Sequence, residues 1–395
     1  MTCRLLKRLL VASTGALLAL AVGAPAQAAT PITIGQITSL TGTNAVQGED
    51  MKRGVALAVK RLNDGYGVPM TDGSRKQVGP GLIDGRPLKV QVEDTESRPA
   101  SAMDATRKLV SVDHVPAIVG EYSSGITVPT GQFTNSNGVV QIGVGSTSPK
   151  LADIGPYYFN VIGTDRIMGK KLAEFAHEDS GADKFTSITP NNPFGVGLEI
   201  NACGRLEELG GKCVTTSRYE LEKSDYRPII QATFRNDAQA GFFTAYGTEA
   251  RLILRQMHEL GLKPPKGWYA DYMTMWSNEV KKIHEVADGI KGLRPGPSGG
   301  GFYESEYADA YEKAYGEAPT TAFGAYAYDA AMIVGLAIDK AGSANPDAIK
   351  DAMSEVASHY KGVTGGKTFD DNGMQVDETY RRMIYKDGKL VPYQM

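Results

Sequence analysis

"VPAIVGEYSSGITVPTGQFTNSNGVVQIGVGSTSPK", residues 115–150, carries one pattern twice. An apolar run ends at Gly120 and opens into "EYSSGIT"; a second run, "VVQIGVG", opens into "STSPK". The segment between them, "SGITVPTGQFTNS", reads as a helix, although Pro129 weakens it. Strand, hydroxyl-rich turn, helix and strand again is the unit of a parallel sheet, because parallel neighbours need a crossover. In such sheets ligands bind beyond the carboxyl ends of the strands. Both hydroxyl-rich turns fall there.

The same alternation continues in both directions. Upstream, "PITIGQITSL" and "LKVQVEDTES" read as strands. "GEDMKRGVALAVKRLND" is an amphipathic helix with Met51, Val55, Ala58, Val59 and Leu62 on one face, and "PASAMDATRKLVS" is a helix opened by Pro99. The Gly-rich insert at 66–87 predicts a surface loop or hairpin. Downstream the cycle restarts. Helical "TDRIMGKKLAEFAHED", "PFGVGLEINACGRLEELG", "YRPIIQATFRND" and "TEARLILRQMHELG" alternate with strands "KFTSITP", "KCVTTSRYEL", "AGFFTAY" and "GWYAD". "RPGPSGGG" at 294–301 reads as a linker. Helices are expected at Glu304–Tyr315, Ala322–Lys340 and Asn345–Ala357, and strand-like "YRRMIYKDGKLV" closes the chain. Two α/β units within 395 residues predict two lobes.

Composition is that of an ordinary globular chain, with 42% apolar and 22% charged residues. A formal charge of −3 gives no electrostatic footprint for nucleic acid. The N-terminus has Arg4, Lys7 and Arg8, then an apolar stretch, then Ala26-Gln27-Ala28. That is the pattern of a cleaved export signal over 1–28, and its removal takes the charge to −6. Cys203 and Cys213 then remain, and an even count in an exported chain predicts a disulfide.

Each hydroxyl-rich turn taken singly is ordinary helix capping. Two on neighbouring strands point to an anion site, in which hydroxyls and the N–H groups of a helix start hold a carboxylate. Enzyme motifs fail: G-x-S-x-G has Glu121 in place of glycine, and no Cys/His cluster has metal spacing. An exported hydrolase using a serine of "YSSG" lacks a nearby base. No catalysis, metal or cofactor is expected. Phe194, Tyr246, Tyr272 and Trp276 fall at corners of the second unit and read as the aromatic wall opposite the hydroxyl turns.

The chain resembles the periplasmic Leu/Ile/Val-binding family of ABC-transporter solute-binding proteins. "IGQITSLTGTNAVQGEDMKRGVALAVKRLN", "EYSSGIT", "GSTSPKL", "PFGVGLEINACGRLEELGGK", "LILRQMHELGL" and "AYAYDAA" carry the resemblance, in order, over nearly the whole mature chain. It implies two lobes joined by three crossings: 29–163 with 294–373, and 164–293 with 374–395. It implies a carboxylate held by Ser124, backbone groups of Gly145 or Ser146, and the Thr147 hydroxyl, with Tyr122 and Ser123 of the same turn as further ligand-binding candidates. Gln47 stands in the loop after "SLTG". Phe194 and Tyr246 supply lobe-two aromatics, with Glu249 beside Tyr246. The family's ammonium-binding acid maps onto Tyr272, with Asp271 one residue before. The expectation is a periplasmic monomer that captures a small carboxylate, an aromatic or apolar acid ahead of a branched-chain amino acid. It would deliver the ligand to an inner-membrane permease, or report it to a membrane receptor.

Overall fold

The computed structural model describes residues 30–296 and 306–394. The export signal and most of the 294–301 linker that the sequence predicts lie outside them. The chain begins with β1 (Ile32–Thr38), α1 (Ala45–Asp64), a hairpin of β2 (Tyr66–Pro69) and β3 (Arg75–Val78), β4 (Leu88–Asp94), α2 (Pro99–Ser111) and β5 (Ala117–Val119). There follow α3 (Ser124–Ser136), β6 (Val140–Gly143) and β7 (Tyr158–Gly163). The second unit runs α4 (Asp165–Ser180), β8 (Lys184–Pro190), α5 (Pro193–Glu208), β9 (Lys212–Tyr219), α6 (Arg227–Thr233), β10 (Ala240–Phe243), α7 (Gly247–Glu259) and β11 (Trp268–Ala270). It ends with three short helices, α8 (Tyr272–Trp276), α9 (Asn278–Lys281) and α10 (His284–Ala287), and β12 (Lys291–Pro295). The last part holds α11 (Glu306–Tyr315), α12 (Phe323–Ala341), α13 (Pro346–His359), the small pair β13 (Lys361–Gly362) and β14 (Gly365–Gly366), β15 (Met374–Gln375), β16 (Tyr380–Lys386) and β17 (Lys389–Pro392).

Two sheets organise these elements. The first has the order β15-β7-β6-β5-β1-β4 and the second β17-β16-β12-β11-β10-β8-β9. The pairs of the first sheet are parallel; β16 and β17 add an antiparallel edge to the second. Among the described residues, the chain passes from one sheet to the other after β7, after β12 and between β15 and β16. Residues 374–375 pair with β7, so the last passage lies after them, past the 373 boundary that the sequence suggests.

Packing follows the apolar patterns. The face of α1 with Met51, Val55, Ala58, Val59 and Leu62 is buried. It lies on α12, whose residues Phe323–Ile338 are buried all round. A Cβ at Gly54 would stand 1.9 Å from the Gly324 carbonyl, so the two backbones touch and only glycine fits the crossing. Asp50 of α1 fixes the start of α12 by accepting from the Thr321 N–H at 2.6 Å and its hydroxyl at 2.7 Å. Phe323 is thereby brought to the mouth between the sheets. Pro129 sits inside α3 without ending it.

Cys203 of α5 and Cys213 of β9 are bridged, with Cα atoms 5.7 Å apart. The bridge closes a short loop, so opening it costs about 3 kcal/mol in the chain-entropy description. A Cys203→Ser/Cys213→Ser double variant is expected to lose roughly that amount in urea unfolding. Equal stability of variant and wild type would remove the bridge from the factors holding the second lobe.

Candidate functional site

The site is assembled at the carboxyl ends of β5 and β6. Glu121, fully buried, follows β5. Its Oε1 accepts the hydroxyls of Ser39 at 2.6 Å and Thr95 at 2.8 Å, which follow β1 and β4. Its Oε2 accepts the Tyr122 and Ser123 N–H groups, each at 2.8 Å. Its backbone carbonyl accepts the Gly145 N–H at 3.2 Å and the Ser146 hydroxyl at 3.2 Å. One residue thus ties together both hydroxyl-rich turns. Burial raises its carboxyl above the ordinary range, against the pull of these donors.

Ser124 is the first residue of α3; the Ile126 and Thr127 N–H groups donate to the Ser123 carbonyl, and those of Ser124 and Gly125 precede the helix's own ladder. Its Oγ accepts from the Thr147 N–H at 3.1 Å and the Ser148 N–H at 3.2 Å. Both lone pairs are then used, and the hydroxyl hydrogen is what remains to offer. Ser123, at the cap position, makes no side-chain cap bond and faces the cleft instead. The Ser146 hydroxyl is bonded to Thr127 and to the Glu121 carbonyl, so it is held within the two turns. A hydroxyl hydrogen beside a helix start has the chemistry that suits a carboxylate.

Across from these turns stands an aromatic shell. Phe194 starts α5, Tyr246 precedes α7, and Tyr272 and Trp276 belong to α8. Phe194 meets Tyr246 at 5.6 Å between ring centres and Tyr272 at 6.4 Å. Trp276 lies 5.3 Å from Tyr272 and 5.5 Å from Phe323. Tyr122 completes the ring, 4.8 Å from Phe323 and 6.4 Å from Tyr246. A Cβ at Gly145 would stand 2.8 Å from the Tyr122 ring and 3.1 Å from Phe323, so the glycine admits the aromatics to the floor. A cavity of about 390 Å³ opens above, lined by Gln47, Tyr122, Ser123, Tyr246, Glu249, Met273, Trp276 and Phe323 among others. The Trp276 indole N–H has no partner among the described residues.

The Tyr272 hydroxyl crosses the cleft at its floor. It donates to Thr147 Oγ1 at 3.2 Å and lies 3.4 Å from the Gly145 carbonyl oxygen. Asp271 does not face the cavity. It caps α8, accepting from the Met273 N–H at 2.8 Å and the Thr274 hydroxyl at 2.7 Å. Burial pushes its carboxyl up to about 7. Glu249 does line the cavity, and burial raises it too. Of the residues expected from sequence, Gln47, Tyr122, Ser123 and Tyr246 line the open cavity. Ser124, Gly145, Ser146, Thr147, Phe194 and Tyr272 form the buried layer beneath it. Sequence reasoning missed Met273 and Phe323. Phe323 opens a helix distant in sequence, and its only early signal was its place just before "AYAYDAA".

A sequence profile of the periplasmic binding protein family matches residues 31–389. A Leu/Ile/Val-binding protein homologue of Brucella abortus is 26% identical over 368 residues, covering 91% of this chain and 92% of that protein. The crystal structure of a leucine-binding protein from Thermotoga maritima is similar over 92% of this chain and 98% of that one, with a TM-score of 0.77 and 22% identity. A solute-binding protein of an ABC transporter from Rhodopseudomonas palustris, in complex with 3,4-dihydroxybenzoic acid, is similar over 91% and 95%, with a TM-score of 0.75 and 18% identity.

Ser124→Ala leaves the buried Thr147 and Ser148 N–H groups without their acceptor. Stability is expected to fall by about 1–3 kcal/mol, read from urea unfolding. A change near zero would mean the turn finds another acceptor. Asp271 gives a pH signature. Its folded value of about 7 lies above the unfolded value, so its contribution to stability is full below the unfolded value and is lost as pH rises through 7. Asp271→Asn removes that loss. The stability of the variant relative to wild type should therefore climb from pH 4 to 7, and a constant difference would show that Asp271 does not titrate there.

Proposed function

Because the chain belongs to the periplasmic binding protein family, we propose that it is the exported solute-binding protein of an ABC importer whose ligand is a small aromatic or apolar carboxylic acid. The ligand is captured between the two lobes and delivered to an inner-membrane permease. Proteins of this family bind solutes; they are not enzymes. Among the described residues, no helix is long and apolar enough to cross a membrane.

The observation that carries the ligand class is the floor of the cleft. Its donors, the Ser124 hydroxyl and the start of α3, suit a carboxylate. Its two acceptors, the Gly145 carbonyl and Thr147 Oγ1, already face the Tyr272 hydroxyl. An ammonium would have to displace that hydroxyl, and Asp271 is held by its own helix. The six-ring shell suits a flat apolar body, since aromatic pairs contribute about 0.5–1.5 kcal/mol beyond area burial.

Glu249 favours a second reading. It is a buried acid on the cavity wall, and ionised it would answer an ammonium there. An apolar amino acid would then lie with its cationic end toward α7.

Protein unfolded and refolded to strip carried-over ligand should separate the two by thermal shift and calorimetry. The panel is benzoate, 3,4-dihydroxybenzoate, 3-phenylpropanoate, phenylalanine and leucine. A ligand at a hundredfold excess over Kd stabilises the folded state by about 2.7 kcal/mol. Aromatic acids are expected to give that shift. Micromolar binding of leucine with none of the aromatic acids would overturn the reading and point to Glu249.

A further inference from the structure

Among the described residues, four strands edge the two large sheets, and they are not equally protected. β15 has two residues and a break in register against β7. β17 has four and ends at Pro392. β9 has eight, but its register shifts against β8, and Asn236 covers its edge by donating to the Val214 carbonyl at 3.1 Å. Shortness, proline, irregularity and cover keep an edge from pairing with another chain. β4 has none of these along most of its length. Its seven residues pair with β1 in one unbroken register from Leu88 to Asp94.

One end of β4 is closed off. Asn63 of α1 accepts the Leu88 N–H at 2.8 Å and donates to the Leu88 carbonyl at 2.9 Å. The main-chain groups of one strand residue point the same way, and successive residues alternate. Leu88 thus faces away from β1, and so do Val90 and Val92, while Lys89, Gln91 and Glu93 turn to β1. Among the described residues no strand pairs on the outer side of Val90 and Val92. Both valine side chains are half-buried, beside a cavity of about 470 Å³ that Ala56 and Val59 of α1 also line. On the opposite face Lys89 is exposed. Glu93 receives Lys108 of α2 and Gln91 on the same oxygen, Oε1, which leaves Oε2 for another partner.

This strand is complementary to itself. A second copy laid antiparallel about a two-fold axis at Gln91 sets Val90 of each copy opposite Val92 of the other, and Lys89 of each opposite Glu93 of the other. The valines face outward, so each pair exchanges both main-chain bonds. Lys89 and Glu93 then form the closer pairs between those bonds, where opposite charges attract and like charges repel. A two-fold interface demands self-complementarity of this kind. We propose that β4 is the docking edge for a second copy of this chain, the two first sheets joining antiparallel through Val90 and Val92 with Lys89 against Glu93 across the axis. The edge lies on the far side of the sheet from β7 and β15, so pairing leaves the crossings to the second lobe clear. A short strand edge falls at the small end of interface sizes, so the dimer is a weak one in place of the monomer that the sequence predicts. The proposal is independent of the ligand class.

The test is sedimentation velocity of the full mature chain from about 1 to about 200 µM, a range that reaches weak association. Wild type is expected to move from monomer toward dimer as concentration rises. Lys89→Glu sets glutamate against Glu93 at both ends of the pairing, and Glu93→Lys sets lysine against Lys89. Each alone should weaken the dimer about tenfold or more. Mixed in equal amounts, the two variants again oppose unlike charges at both positions. A heterodimer should then return, read by native mass spectrometry at a concentration where neither variant pairs with itself. In wild type, exchange of the Val90 and Val92 amide hydrogens should slow as the dimer fills, a readout that needs no variant to fold. A wild-type monomer at the highest concentration overturns the proposal. So does a dimer that Lys89→Glu leaves unchanged, a dimer in which the Val90 and Val92 amides exchange as fast as in the monomer, or a mixture of the two variants that forms no heterodimer.

Discussion

Both hydroxyl-rich turns of the first lobe depend on where the Glu121 carboxyl sits. It is a buried acid with four donors, drawn from the ends of β1 and β4 and from its own turn. Taking a carboxyl out of water is costly unless its oxygens are met, and here each oxygen is met twice. The same residue's carbonyl gathers the second turn through Gly145 and Ser146. The two hydroxyl-rich turns are therefore not independent loops. They are two faces of one polar cluster, which explains why a hydroxyl from one turn, Ser124, accepts the N–H groups of the other. The carboxylate site proposed above needs donors fixed before the ligand arrives, and this cluster holds Ser124 in place.

The aromatic half depends on packing in the same sense. Phe323 reaches the cleft because Asp50 holds the start of α12, and because Gly54 and Gly324 let α1 and α12 touch. Gly145 leaves room for Tyr122 and Phe323 above it. Polar floor and aromatic wall thus share residues: Tyr122 follows Glu121 directly, and Tyr272 belongs to the wall but bonds to the floor. A change in one half is felt in the other.

The lobes, the alternation of strands and helices, and the two hydroxyl turns were legible because each rests on local pattern. A strand ending in "YSSG" or "GSTS" advertises its turn in a few adjacent residues. The face of α1 could be read from period alone, and the hairpin at 66–87 from its glycines. What local pattern does not carry is where a side chain spends its hydrogen bonds. Asp271 and Tyr272 stand next to each other at the position where the family resemblance expects an acid, and sequence could not choose between them. The choice comes from the α8 N-terminus, whose N–H groups take Asp271 and leave the tyrosine to cross the cleft. Phe323 was invisible for a different reason: its place depends on a helix crossing between residues about 270 apart. Asp165 stands in the first turn of α4, where an acid is ordinary, and only its burial without a hydrogen-bond partner for either oxygen sets it apart.

The cross-lobe contacts also bear on how capture is achieved. Tyr272 bonds to Thr147, and the Tyr122 hydroxyl approaches Met273 Sδ at 3.2 Å. Both contacts join elements of different sheets and stabilise a closed arrangement without help from a ligand. A ligand can shift the balance between open and closed forms only by its differential affinity for them. It must therefore add more in the closed cleft than it displaces there. A flat acid leaves the Tyr272–Thr147 bond in place, adds its own bonds at Ser124 and α3, and fills the shell above. A ligand that needs Gly145 and Thr147 for an ammonium gains those acceptors only by breaking the bond that closes the floor. On the proposed ligand class, the tyrosine that completes the aromatic wall also raises the cost of seating an ammonium on the Gly145 carbonyl and Thr147 Oγ1.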